Sequence, residues 1–136
     1  MPSGIDNISM EMLKKALDAS SARNRVISHN IANINTKGYK AFRVVFEDKL
    51  KQAVSGESLP LKTTNSKHLN DGTSLENLNY EIKKDNTTSM RTDGNNVDID
   101  NEMTNLAANA ILYNSLVSQA NSRFAMRRYV ISEGRR

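Results

Sequence analysis

Residues 100–131, DNEMTNLAANAILYNSLVSQANSRFAMRRYVI, carry the longest amphipathic pattern in the chain. One stripe takes every third or fourth position, and all its members except Arg127 are apolar: Met103, Leu106, Ala110, Tyr113, Val117, Ala120, Phe124, Arg127 and Ile131. This spacing is typical of a helix that packs along another helix through a narrow apolar seam. At 1.5 Å per residue, the predicted helix is about 48 Å long. The stretch therefore predicts a mainly α-helical fold.

A second stripe with the same spacing lies near the N-terminus, between residues 9 and 34. Its members are Met10, Leu13, Leu17, Ser20, Asn24, Ile27, Ile31 and Ile34. Ser20 and Asn24 interrupt it with polar side chains, which indicates either a solvated patch or a polar contact that fixes the register of packed helices. Together the two stripes predict a coiled-coil-like hairpin of two long terminal helices.

The residues between the two stripes are polar and rich in turn signals, so the chain is predicted to be one unit with three parts. The parts are an N-terminal helix at 1–35, a turn, short helix and loop or small β region at 36–97, and a C-terminal helix at 98–136. The first helix is predicted to stop within residues 35–38. Gly38 is expected to adopt positive φ there, because glycine does so at little cost.

Weaker periodicities in the middle part predict short elements. A spacing of four residues predicts a short helix through Phe42, Phe46, Leu50 and Val54. Alternation predicts two short strands, one with Leu59, Leu61 and Thr63 and the other with Leu78, Tyr80 and Ile82. These signals favour a small β excursion over a second domain.

The composition argues against a self-sufficient core. Of 136 residues, 38% are hydrophobic and 5% aromatic, and cysteine is absent. Two helices cannot enclose a core alone, so further helices, most simply those of other copies, are expected to cover the stripes. No apolar run approaches the roughly 18 residues of a membrane span. The N-terminal stretch lacks the basic and apolar regions that are typical of a cleavable secretory signal.

The sequence offers no group of residues suited to catalysis, to a cofactor or to a metal. The acidic cluster before the second helix contains Asp93, Asp98, Asp100 and Glu102, and its spacing fails the pattern of an EF-hand loop. Asp98 or Asp100 is predicted to cap the helix, and Glu102 to complement its dipole. The two histidines, His29 and His68, lack the spacing of zinc ligands. An enzyme is therefore not expected.

The net charge of +4 has one local concentration, near the C-terminus. It consists of Arg123, Arg127, Arg128, Arg135 and Arg136. No nucleic-acid-binding motif accompanies these residues, and a helix C-terminus favours positive charge through its dipole. The sequence thus predicts no nucleic-acid partner.

Residues 30–41, NIANINTKGYKA, resemble the signature of flagellar rod and hook axial proteins. In that family the N-terminal helix ends in this segment, and proline is common where Lys37 stands. The resemblance implies a turn motif formed by Asn30, Asn33, Thr36, Gly38 and Tyr39. Residues 64–69, TNSKHL, and 93–103, DGNNVDIDNEM, are similar to segments of the proximal rod members of the family.

The resemblance implies a structural subunit without catalysis or cofactor. Such subunits polymerise helically into the periplasm-spanning rod that transmits torque. Their expected partners are copies of the chain, other rod subunits, the basal adaptor protein FliE and the flagellar type III export apparatus, which exports them without a cleaved signal. The residues expected at subunit interfaces are Leu13, Leu17, Ile27, Ile31, Ile34, Leu106, Ala110, Tyr113, Val117, Phe124 and Ile131.

A second interpretation stays open at this point. The same stripes suit a small helical adaptor or chaperone of the flagellar export system, which docks a single partner. Such chaperones are usually acidic and stable dimers, whereas this chain is basic and poor in core residues.

Overall fold

The computed structural model describes residues 4–55, 78–87 and 91–133. In chain order, the elements are α1 (Gly4–Ala32), β1 (Phe42–Val45), α2 (Glu47–Ser55), β2 (Glu81–Lys84) and α3 (Ile99–Glu133). At 1.5 Å per residue, α1 is about 43 Å long and α3 about 52 Å. The strand predicted at residues 59–63 lies outside the described residues.

The two long helices pack against each other in antiparallel orientation. Three hydrogen bonds along the helices show this pairing: Ser9 with Arg123, Ser20 with Asn109 and Asn30 with Glu102. The residue number rises along α1 as it falls along α3. The end of α1 therefore lies beside the beginning of α3. The predicted hairpin of terminal helices is confirmed.

The strands β1 and β2, which lie between the two long helices in the sequence, form a two-stranded antiparallel sheet. Phe42 is opposite Lys84 and Val44 is opposite Ile82. The predicted small β region is thus confirmed, but β1 is not one of the strands that the alternation predicted, and β2 covers Glu81–Lys84 rather than residues 78–82.

The prediction of one helix through Phe42 and Phe46 is wrong. Phe42 lies in β1, where the side chain of Asn30 holds its main chain, and α2 starts only at Glu47. Glu47 and Asp48 fill the first turn of α2, where negative charge is favourable. The apparent spacing of four residues therefore runs across two different elements, a strand and a helix.

The apolar core is small and lies beside α1. Ala19, Phe46 and Leu78 are buried together. Partly buried neighbours surround them: Ala16, Leu50, Ala53 and Tyr80. Since these residues come from α1, α2 and the approach to β2, the core joins the middle of the chain to only one of the two long helices.

The first helix ends at Ala32, earlier than the predicted stop within residues 35–38. Turns occupy the residues that follow, and the side-chain Nδ2 of Asn33 donates to the carbonyl of His29 at 2.8 Å. Gly38 has a φ of 72°, so its predicted conformation is confirmed. At the other helix, Asp98 is the cap, since its Oδ1 accepts the amide of Asp100 at 3.0 Å.

Candidate functional site

The two sequence motifs, residues 30–41 and 93–103, lie against each other where α1 ends and α3 begins. We call this contact the junction. The amide of Gly38 donates to the carbonyl of Asp93 at 2.9 Å, and the amide of Asn96 approaches the carbonyl of Tyr39 at 3.4 Å. A Cβ on Gly94, whose φ is 78°, would stand 3.7 Å from the Cα of Gly38. The two turns are therefore packed backbone to backbone.

Asn95, from the second motif, caps the turn that ends α1. Its side chain is fully buried, and its Nδ2 lies 3.0, 2.9 and 3.0 Å from the carbonyl oxygens of Asn33, Ile34 and Thr36. The C-terminus of a helix leaves carbonyls without partners inside the helix, and the turn that follows adds more. The Oδ1 of Asn95 accepts the amide of Val97 at 2.8 Å, which fixes the orientation of the side-chain amide.

Asn30 joins α1 to β1 and to α3. Its buried amide pairs both main-chain groups of Phe42, donating to the carbonyl at 2.9 Å and accepting from the N–H at 2.9 Å. It thus occupies the place of a neighbouring strand. Its Nδ2 also donates to Glu102 at 3.1 Å, and its Oδ1 accepts the hydroxyl of Tyr39 at 3.1 Å.

Asn96 closes the open end of the sheet. Its Oδ1 accepts the amide of Ala41 at 2.7 Å, and its Nδ2 donates to the carbonyl of Asp85 at 2.9 Å. Ala41 and Asp85 flank the two strands and are also joined by a main-chain hydrogen bond, in which the amide of Asp85 donates to the carbonyl of Ala41 at 2.7 Å. The side chain of Asn96 reinforces this pair. Asn30, Asn95 and Asn96 therefore all replace main-chain hydrogen bonds with side-chain amides.

Glu102 is a buried anion within the junction, which the sequence analysis did not foresee. It is 1% exposed, and its Oε1 lies 3.1 Å from the guanidinium of Arg43. Within the described part of the chain, Oε1 forms this ion pair but no hydrogen bond. A buried carboxylate needs such a partner, because removal from water is costly for an unpaired charge. Glu102 thus links α3 to β1 rather than only complementing the helix dipole.

The phenol of Tyr39 lies at the edge of this polar cluster. Burial raises the pKa of Tyr39, and the negative charge of Glu102 raises it further. The Nδ1 of His29 lies 2.9 Å from the hydroxyl of Tyr39. Among the described residues, no group of three or more acidic, histidine or cysteine side chains is arranged to hold a metal ion.

A second polar contact lies about three turns further along the long helices. The hydroxyl of Ser20 donates to Oδ1 of Asn109 at 2.9 Å, and Nδ2 of Asn109 donates to the carbonyl of Ser20 at 2.9 Å and to Asn24 at 3.0 Å. Ser20 and Asn109 are buried. Of the two interpretations of the polar residues in the first stripe, the contact that fixes helix register is the one confirmed.

Comparisons with known proteins agree with the position of these motifs. The family described as "Flagella basal body rod protein" matches residues 10–40, which cover most of α1 and the first motif. The flagellar basal body rod protein FlgB of Bacillus subtilis is 37% identical over 126 residues, or 93% of this chain and 95% of its own length. FlgB of Borrelia hermsii is 38% identical over 114 residues, or 80% of this chain and 84% of its own length. The chain belongs to the FlgB family of flagellar basal body rod proteins.

Membership in the FlgB family makes the chain a structural component of the flagellar basal body rod. The rod-protein match extends through residues 30–40 of the first motif, which contains Asn30, the residue that ties α1 to the sheet. No helix among the described residues is long and apolar enough to cross a membrane.

The residues expected at subunit interfaces differ in exposure within the single chain. Ile27 is buried. The partly buried ones are Leu13, Leu17, Ile31, Ile34, Leu106 and Val117. The exposed ones are Ala110, Tyr113, Phe124 and Ile131. Contact between subunits stays a prediction for all of them, and the exposed members are those that a neighbouring chain would have to cover.

The second half of α3 exposes further apolar side chains that the stripe did not include. They are Met126, Tyr129 and Val130, each at least 63% exposed. Together with Phe124 and Ile131 they form what we call the distal α3 surface. The helix is apolar on more than one side there, and a pattern that follows one apolar stripe does not include these residues.

The arginines of α3 do not follow the predicted dipole effect. The last turn of the helix, which ends at Glu133, contains no basic residue, and the dipole acts mainly within that turn. Arg127 and Arg128 lie further inside. Arg123 donates to the hydroxyl of Ser9 at 3.0 Å, which ties the second half of α3 to the first part of α1.

Proposed function

We propose that the chain forms the proximal part of the rod, where copies polymerise helically and transmit torque. The observation that carries this proposal is the near full-length similarity to FlgB proteins. The comparisons contain nothing that favours the alternative of an export adaptor or chaperone. The rod interpretation therefore takes precedence, and the structure supplies a physical reason for polymerisation.

That reason is the distal α3 surface, which the single chain leaves in water. Val130 is 67% exposed and Ile131 is 72% exposed. Exposed apolar surface of this kind often marks a protein contact, and burial contributes roughly 25 cal/mol for each Å² removed from water. Helices of neighbouring copies, with the same stripes, are suitable partners. We propose that the expected interface residues Leu106, Tyr113, Val117 and Phe124 contribute to this contact.

The junction suits a subunit that carries load. It ties the hairpin to the sheet through buried amides and one buried ion pair, so α1, β1 and α3 move as one body. A rod that transmits torque requires subunits whose parts do not rotate against each other. The proposed partners are other rod subunits, the basal adaptor FliE and, before assembly, the flagellar type III export apparatus that exports the chain without cleavage.

The test compares Phe124→Asp with Ser122→Asp in a strain that lacks the native gene. Both positions are exposed on α3, and both variants gain the same charge. Phe124→Asp is expected to fold, by circular dichroism, but to abolish motility and rods in purified basal bodies. Ser122→Asp is expected to retain both.

Two outcomes would contradict the proposal. Normal rods with Phe124→Asp would show that the distal α3 surface is not an assembly contact. Absence of the wild-type chain from purified basal bodies, together with its retention in the cytoplasm, would support the adaptor alternative instead. Co-purification of FliE with the wild-type chain from basal bodies tests the proposed neighbour.

A further inference from the structure

The two edges of the β1–β2 sheet differ in their availability for hydrogen bonding. In an antiparallel pair, successive residues point their main-chain groups alternately toward the partner strand and away from it. Phe42 points away from β2, because Asn30 holds both of its main-chain groups. This bond closes the outer edge of β1 at that residue.

The same alternation identifies the open groups of β2. Phe42 is opposite Lys84 and Val44 is opposite Ile82, so Lys84 and Ile82 also point away from their partner strand. Within the described part of the chain, no hydrogen bond occupies these outward groups. Ile82 is also 49% exposed. We call this row of main-chain groups the β2 edge.

We propose that two free copies of the chain pair through their β2 edges, antiparallel about a two-fold axis at Ile82. Around that axis, Ile82 is opposite Ile82 of the second copy. Glu81 is opposite the second copy's Lys83, and Lys83 is opposite its Glu81. The sequence Glu81-Ile82-Lys83 is therefore complementary to itself in this orientation, and opposite charges across antiparallel strands are stabilising.

The charges also exclude the neighbouring registers. In any register, the outward main-chain groups of one copy must lie opposite outward groups of the other. The nearest alternatives to an axis at Ile82 are therefore two-fold axes at Lys83 or at Glu81. An axis at Lys83 places two lysines opposite each other, and an axis at Glu81 places two glutamates opposite each other. Directly opposed like charges are destabilising. Only the axis at Ile82 combines paired main-chain groups with opposite charges.

The surroundings of Ile82 favour burial of the second copy's side chain. Ile82 lines an apolar groove of about 440 Å³ together with Val26, Phe42 and Tyr80. The two Ile82 side chains lie on the same face of the combined sheet, next to this groove in each copy. On the opposite face, Oε2 of Glu81 contacts Lys49 at 2.6 Å and lies 3.8 Å from Lys83 of the same copy. Both contacts use one carboxylate oxygen, so Oε1 is left for the partner's lysine.

The contact is expected to be weak and to remain dimeric. The strand has four residues, and so short an interface falls below the roughly 1,000 Å² of stable complexes. A two-fold contact closes on itself, whereas a filament needs head-to-tail contacts. The pairing therefore belongs to free subunits and does not depend on the proposed place of the chain in the rod.

The decisive experiment uses two charge reversals, Glu81→Lys and Lys83→Glu, in the full-length chain. In each variant alone, residues 81 and 83 of the two copies carry the same charge and lie opposite each other at both positions. Each is therefore expected to dimerise about tenfold or more weakly than wild type. An equimolar mixture restores both opposite-charge pairs, so it should form heterodimers with near wild-type affinity. Sedimentation velocity over a concentration series measures each association. Lys51→Glu, an exposed change of the same charge on α2, serves as the control and should dimerise like wild type.

A cross-linking measurement tests the axis itself. The chain contains no cysteine, so Ile82→Cys introduces a single thiol. A short bis-maleimide should link two copies of this variant efficiently, and two copies of Thr92→Cys poorly. The proposal fails if the wild type is monomeric up to millimolar concentration, or if the mixture associates no better than the single variants. Equal association of wild type and both single variants would also overturn it, because the dimer would then use another surface.

Discussion

Replacing Asn95 with alanine is expected to destabilise the subunit by about 3 kcal/mol. The side-chain amide has two N–H protons, so its three carbonyl contacts at 2.9–3.0 Å count as about two hydrogen bonds. Each contributes about 1 kcal/mol net. The substitution also leaves the amide of Val97, a buried residue, without its partner, which costs about 1 kcal/mol more.

Urea unfolding of the purified subunit, followed by far-UV circular dichroism, measures this loss. With a slope of about 1–3 kcal/mol per M, the midpoint should fall by about 1–3 M. Asn95→Asp is the informative companion, because it keeps the acceptor for Val97 but points a carboxylate at three carbonyl oxygens. It should be at least as destabilising as alanine. Asn35→Ala, on the exposed turn, is the matched control and should change stability by less than about 0.5 kcal/mol.

The result that would refute the reasoning is a small effect of both substitutions. If Asn95→Ala and Asn95→Asp both unfold within about 0.5 kcal/mol of Asn35→Ala, the amide does not cap α1 in solution. The turn after α1 would then be held by its own local hydrogen bonds, and the junction would not couple the two motifs.

Three other substitutions test separate features. Gly38→Ala should destabilise the subunit by about 1–2 kcal/mol, because φ is 72° there and the cost is backbone strain rather than a clash, with nothing within 4 Å of the added Cβ. Urea unfolding measures this cost, and motility assays should show that Gly38→Ala impairs rod assembly more than Lys37→Ala does. Phe124→Ala should lower the stability of the free subunit by under about 1 kcal/mol, rather than the 3–5 kcal/mol of a packed core, because the ring is 58% exposed. Its main effect should appear as fewer rods in purified basal bodies. Burial raises the pKa of Glu47, but the hydrogen bonds and charge of Arg23 outweigh it and hold that pKa below its ordinary value. The ion pair therefore stabilises the fold at neutral pH, and this contribution is lost as pH falls through the lowered pKa. Glu47→Gln should unfold more easily than wild type at pH 7, by under about 1 kcal/mol, and the difference should shrink as the pH is lowered in urea unfolding series.

The features that the sequence predicted well are periodic or local. The hairpin followed from two stripes, the conformation of Gly38 from its turn, and the cap, predicted at Asp98 or Asp100, from its place before a helical pattern. The role of the turn motif in the axial proteins stays a prediction for this chain. Each of these signals is contained within a few turns of chain.

The features that were missed depend on partners far apart in sequence. Asn30 meets Glu102 across 72 residues, and Asn95 meets Asn33 across 62. No periodicity encodes such pairs, and an asparagine in a polar stretch normally indicates only a turn. The error at Phe42 has the same origin, because only the distant contact with β2 makes that residue part of a strand.

The junction has a consequence for how the middle of the chain can vary in length. The chain leaves the hairpin after Tyr39 and returns at Asn96, and a main-chain contact of 3.4 Å joins these two points. This contact therefore sets the register of the hairpin independently of the number of residues between the two points, because lengthening a closed loop costs only about 0.6 kcal/mol for each doubling of its length.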